Sequence, residues 1–257
     1  MLTYNGRIKT NFTLTANAGA ELVNFKNSIR SASINALLVH NMPSISNSNA
    51  VPAVTAAGRA TQTQSVFGNA TLGFRDFLFL DVSARNDWSS TLPVNNCSFF
   101  YPSATGSFVF TSFLPQNSII SYGKLRGSVA QVGNSAPFGA LLNTYGGSVL
   151  FLGTPYITYT SRLNNPSLKP EQTVSTEAGL DLNFFHDRIV FSGTIYRSTA
   201  TNQIITASTS PETGFTSRVV NAGKMTNQGI ELSINAKVLK TNKFSPEPPR
   251  QLVHEPE

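Results

Sequence analysis

Bond-making chemistry needs an acid, a base or a nucleophile held close to its partner, and few residues of this sequence could supply one. The three histidines, His40, His186 and His254, are isolated along the chain. His186 stands beside Asp187 in a predicted tight turn, where the two read as a turn-capping pair and not as a catalytic dyad. Cys97 is the single cysteine, so an intrachain disulfide and a thiolate-built zinc site are both excluded. Asn17, Asp87 and Glu171 have no metal-ligand spacing, and no phosphate-cradling glycine loop is present. Asn11-Phe12-Thr13 and Asn69-Ala70-Thr71 match the glycosylation pattern but fall in predicted strands. The expectation is a protein that is not an enzyme, with no cofactor and no metal site. Recognition is better served. Arg85, Asp87, Trp88 and Tyr101 gather around the place where predicted strands meet a long connection. They are candidate rim contacts. Trp88 has two readings: an indole anchored at a membrane–water interface, or a ring that stacks on a sugar.

The elements that position these residues follow from an alternation. In Val174–Phe184, Val174, Ala178, Leu180, Leu182 and Phe184 fall on one face, and Ser175, Glu177, Asp181 and Asn183 on the other. A strand needs that pattern when one side meets oil and the other water. The same phase recurs in predicted strands at Arg7–Ala18, Val66–Phe74, Phe77–Arg85, Phe99–Phe110, Lys124–Gly133, Gln172–Phe184, Ile189–Arg197, Val219–Gly223 and Gly229–Lys237. Between them, long connections (Gly19–Thr63, Asn86–Ser98, Asn134–Glu171, Ser198–Thr216) alternate with short ones (Arg75-Asp76, Phe185–Arg188, Thr226–Gln228). Tight turns at one end and long loops at the other predict an all-β, antiparallel transmembrane barrel. The set of about nine strands is partial, as for a piece of a larger plugged barrel. On the polar phase, Asp81, Glu177, Asp181 and Glu231 are candidate lumen-facing residues, expected to pair along the inner wall or to contact the plug. Pro102 demotes the start of its strand to a rim position.

Composition agrees. The sequence is 40% hydrophobic but only 12% charged, about half the charge of an ordinary soluble domain. No apolar run is long enough for a membrane-crossing helix. The net charge of +6 comes from Lys and Arg scattered singly, so no nucleic-acid partner is expected. Met1–Arg7 lacks the basic-then-apolar order of a signal peptide. The expected organisation is one barrel unit over residues 1–243 and an irregular, proline-rich tail over 244–257, read as a truncation.

Five segments carry a resemblance. Gly73-Phe74-Arg75-Asp76-Phe77-Leu78-Phe79-Leu80-Asp81-Val82-Ser83-Ala84-Arg85-Asn86-Asp87-Trp88-Ser89-Ser90-Thr91-Leu92-Pro93, Phe100-Tyr101-Pro102-Ser103, Lys124–Asn134, Asn165–Glu171 and Asn221–Leu232 resemble, in the same order, stretches of the SusC/RagA-type TonB-dependent transporters. The resemblance implies the later part of a barrel in the outer membrane of a Gram-negative, Bacteroidetes-type bacterium. It implies outer-membrane lipids around the wall, an oligosaccharide or peptide substrate, and a SusD-like surface lipoprotein as lid, which Trp88 could help to seat. Energy would come from the TonB complex through N-terminal parts outside this chain. A siderophore receptor and a secreted, soluble carbohydrate-binding module are the rival expectations. The soluble module requires two sheets packed over a shared core.

Overall fold

The computed structural model describes residues 1–115 and 119–237. Its strands are β1 (Leu2–Lys9), β2 (Phe12–Ser33), β3 (Ala53–Phe74), β4 (Leu78–Ser89), β5 (Ser98–Val109), β6 (Ile120–Asn134), β7 (Tyr145–Phe151), β8 (Thr154–Tyr159), β9 (Arg162–Leu163), β10 (Glu171–Phe184), β11 (Ile189–Thr201), β12 (Ile204–Ser208), β13 (Ser217–Asn221) and β14 (Lys224–Ala236). Nine of them form one antiparallel sheet in the order β1-β2-β3-β4-β5-β6-β10-β11-β14. Its two edges do not meet, so the wall is an open arc of a barrel. No helix among the described residues is long and apolar enough to cross a membrane.

Because the side-chain period is two, the register fixes both faces of this wall. Leu80 pairs with Leu72 and Gly106, Leu180 with Leu125 and Gly193, and Ile195 with Ile230. One continuous face therefore carries Leu14, Leu72, Leu80, Val82, Leu125, Val129, Leu180, Ile195, Ile230 and Leu232. Many of these are half-exposed, Ile230 and Leu232 at 71% and 69%. A contiguous apolar surface of this size marks a membrane or an interface. Among the described residues no second sheet covers it, whereas a soluble sandwich is built from two sheets packed face to face. The opposite face holds Ser83, Ser107, Ser128, Ser192 and Ser233 with the acidic candidates.

Two aromatic zones bound the apolar band. At the short-turn end Phe12, Phe74, Phe77 and Phe113 form a chain of ring contacts with centroids 4.7, 5.4 and 4.9 Å apart. At the other end Trp88 and the exposed Phe100 lie on the apolar face. From Leu78 to Trp88 the strand runs about 33 Å, at ~3.3 Å per residue. Tilted by ~40°, that is a band about 25 Å tall, the height expected for an outer-membrane barrel.

The enclosed core lies in the loops. Leu92, Ala136, Ala140, Leu168 and Val219 are buried together, with Cys97, Phe99, Leu141 and Ile204 packed against them. They come from the connections after β4, β6 and β11, so the long loops pack on one another at one end of the wall. Cys97 donates to the Val94 carbonyl and packs on this core, a structural role.

Several expected boundaries are corrected. Arg7–Ala18 is a hairpin and not one strand: β1 turns at Thr10-Asn11 and pairs with β2, Tyr4 facing Ala16. The Gly19–Thr63 loop shrinks to residues 34–52, because β2 and β3 each run for 22 residues. The Asn134–Glu171 loop contains the β7–β8 hairpin and β9. Val219–Gly223 does not join the wall. It belongs to β13, which pairs with β12 and β9 in a small sheet within the loops. The turn falls at Ala222-Gly223, where Gly223 takes φ +90°, and β14 runs unbroken through Thr226–Gln228. The wall thus has nine strands, but not the nine expected. Pro102 does mark an edge: the β5–β6 ladder begins at Ser103, leaving Phe99–Pro102 paired to β4 alone. The tail at 244–257 lies outside the described residues.

Candidate functional site

The polar face carries a charged network at the long-loop end of four adjacent strands. Arg85 on β4 is its hub. Its Nη2 donates to Glu21 Oε2 on β2 and to Ser65 Oγ on β3, each at 2.8 Å. Its Nε donates to Asp87 Oδ1 at 2.8 Å. Asp87 Oδ2 in turn accepts the Tyr101 hydroxyl of β5 at 2.5 Å. Register explains the convergence: Ser65 faces both Glu21 and Asp87 across its two ladders, and Arg85 faces Tyr101. The Arg85 guanidinium also lies 5.5 Å from the centre of the Phe67 ring, and Tyr101 stacks on Phe99 at 5.9 Å.

Burial ranks these contacts. Asp87 is 8% exposed and Ser65 2%, so the Arg85–Asp87 pair is shielded and its hydrogen bonds are of the stronger, charge-assisted kind. Glu21 keeps about half of its side chain in solvent, and its ion pair contributes less than about 1 kcal/mol. Asp87 is therefore the group the network is built to hold. Its two oxygens each accept a hydrogen bond, one from Arg85 and one from Tyr101, which makes it the anchor of the network.

A second polar group lies lower on the same face. Arg126 Nη2 donates to Thr194 at 2.6 Å, and Ser192 donates to Asp181 at 2.6 Å. Arg126 Nε sits 3.4 Å from Asp181 Oδ2 without a hydrogen bond to it, so this pairing is by charge. The arginine lies flat over Gly179, where a Cβ would come within 2.6 Å of its Nε. Asp81 accepts from Thr71 at 2.5 Å. No hydrogen bond or ion pair joins Glu177 or Glu231 to another described side chain.

Of the four rim candidates, three meet: Arg85, Asp87 and Tyr101. Trp88 does not. It points to the apolar face, level with Gln64 and Ser98. Glu21, Ser65 and Phe67 complete the network and were not among the candidates. Glu21 and Ser65 lie outside every strand the alternation marked. Asp187 caps its turn as expected, by accepting from Asn183 at 2.7 Å, without a hydrogen bond to His186. Among the described residues no group of acidic, histidine or cysteine side chains is arranged to hold a metal.

A sheet greased on one face, ionic on the other and capped by packed loops has known relatives. The family model "TonB dependent receptor-like, beta-barrel" matches residues 2–245. The chain belongs to that family. It is similar to the TonB-dependent receptors P26 and P3 of Formosa agariphila, at 30% identity over 198 residues and 27% over 196. Each alignment covers 72% of this chain and 19% of the relative, so the chain spans about a fifth of the length of these receptors. Among solved structures, the RagAB peptide transporter superposes with a TM-score of 0.82 at 24% identity, covering 94% of this chain and 27% of that one. The siderophore receptor PirA from Acinetobacter baumannii superposes with a TM-score of 0.57 at 18% identity, covering 92% and 33%. The likeness to both is one of fold. TonB-dependent receptors are outer-membrane proteins of Gram-negative bacteria, and the apolar band of this chain is the surface such a protein turns to lipid.

Proposed function

We propose that this chain supplies part of the wall and outer loops of a transporter that imports oligosaccharides or peptides with a surface lipoprotein partner. The polar face is then the lumen side. Asp81, Glu177, Asp181 and Glu231 line it, and the Glu21–Arg85–Asp87–Tyr101 network braces its outer rim. Trp88 anchors the wall in lipid. Opening is driven by the TonB complex through parts of the protein outside this chain. The observation that carries the reading is the pairing of an apolar band about 25 Å tall with loops that pack into their own core above it. The better superposition on a peptide transporter than on a siderophore receptor favours organic polymers over ferric chelates.

The test is uptake by a deletion strain that regains the full-length gene. Expected is restored growth on an oligosaccharide or peptide source and co-purification of a surface lipoprotein. Restoration only of growth on a ferric siderophore, with no lipoprotein bound, overturns the substrate class.

A further inference from the structure

Where β5 parts from β6 the wall opens into a cleft. Their ladder ends at Ser103 and Ala130. Beyond it Phe99–Pro102 stay paired to β4, and Gln131–Asn134 to β10. The space at these strand ends has a volume of about 310 Å³, within the range of small-ligand sites. Phe100, Gln131 and Gln172 line it, and register gives all three the phase of Leu80, Leu125 and Leu180. They face outward at the outer edge of the apolar band, opposite the Arg85 network.

Most of what the cleft offers is uncharged. Its carboxylate, Glu171, is engaged: it accepts from the Ile204 amide at 2.8 Å and from Asn134 Nδ2 at 3.0 Å. Lys169 is its single cation. The amides of Asn95, Gln172 and Asn202 also line it, and no hydrogen bond ties these side chains to another described residue. The Phe100 ring is 56% exposed. A free primary amide sets two donors beside an acceptor, the complement of neighbouring hydroxyls. An open aromatic face, negative at its centre, takes the C–H face of a sugar ring. An extended peptide is served less well. Gln131 Nε2 already donates to the Phe100 carbonyl at 3.1 Å, and Pro102 has no N–H, so the free edge of β5 presents a broken ladder.

We propose that this cleft binds a neutral saccharide on the outward side of the wall. Phe100 is the stacking platform, and the amides of Asn95, Gln172 and Asn202 meet the hydroxyls. The site is separate from the polar face and does not rest on the uptake reading: binding tests the cleft, and growth of the complemented strain tests uptake.

The experiment presents the full-length protein, in detergent, to an array of neutral oligosaccharides (glucans, mannans and galactans) and to an alternating Thr-Val peptide. A glycan is expected to bind and the peptide is not. Phe100→Ala should weaken glycan binding about ten-fold, the loss of one ring contact, and Phe100→Trp should hold it. Asn202→Gly removes an amide at a position of φ +55°, where glycine is at ease, and should cost about five-fold. It keeps the proposal testable if Phe100→Ala fails to fold. No glycan bound, or the same glycan affinity in wild type, Phe100→Ala and Asn202→Gly, overturns the proposal. So does binding of the peptide alone, which would make the cleft a strand-addition site.

Discussion

Arg85 ties three strands together with one guanidinium, and Tyr101 extends the tie to a fourth. Removing the cation leaves Asp87 shielded and short of a partner, which costs more than the pair contributes when intact. Arg85→Ala should lower the unfolding free energy of the full-length protein by about 2–4 kcal/mol, read as a shifted urea midpoint. Tyr101→Phe removes one hydrogen bond to a carboxylate and should cost about 1.5–3 kcal/mol. Glu21→Gln should cost less than about 1 kcal/mol, because that ion pair is half in solvent. An Arg85 variant no worse than the Glu21 variant would mean that the network is ornamental. In the sequence, Arg85 and Asp87 were legible as rim residues through their place at a strand end. Glu21 and Ser65 were not, because nothing in one strand reports what lies across the ladder.

Strand ends were the least legible elements, and the physical reason is solvent. The apolar–polar alternation exists only where one face is in lipid. β2 beyond Leu22 and β3 before Gln64 have water on both faces, so Asn24, Lys26, Ser28 and Arg30 replace the apolar phase and the strand reads as loop. The β1–β2 hairpin was hidden for another reason. Its turn at Thr10-Asn11 preserves parity, leaving Ile8 and Phe12 on one face. Of the two readings of Trp88, the interfacial one follows from the phase of Leu78, Leu80 and Val82, which carried on to Ser89 puts the indole on the apolar face. The tight turns at Arg75-Asp76 and Phe185–Arg188 were read well because they interrupt strong alternation, whereas the one expected at Thr226–Gln228 falls inside β14. Phe185, His186 and Asp187 all adopt positive φ, which side chains bear at a cost. His186→Gly should therefore stabilise the hairpin by about 1 kcal/mol, seen as slower exchange of the β10 and β11 amides near the turn. Faster exchange would show that the His186 side chain holds the turn. Gly133 tests the rim where β5 parts from β6. A Cβ there would come within 2.3 Å of the Phe99 ring, and Gly133→Val should displace that ring and loosen the loop core it packs on. Enhanced proteolysis within residues 135–170 is the expected readout, and an unchanged digestion pattern would contradict it.

At the scale of the molecule, two-facedness is the property everything else depends on. It makes a nine-stranded sheet stable without a second sheet, because lipid takes the place of a protein core on one side. It also places Arg126, Asp181 and the Arg85 network together on the polar face, away from the apolar band. Leu80→Arg should destabilise the full-length barrel in a bilayer by about 2–4 kcal/mol, the cost of a cation near mid-membrane. Ser83→Arg, on the polar face, should stay within about 0.5 kcal/mol of wild type. The most direct measurement places single spin labels at Leu80, Asp81, Val82 and Ser83 of the full-length protein in lipid bilayers. Collisions with oxygen, which concentrates in lipid, are compared with collisions with a water-soluble nickel complex. Labels at 80 and 82 should meet oxygen, and labels at 81 and 83 should meet nickel. The same accessibility at all four positions, or the reverse order, would contradict the account.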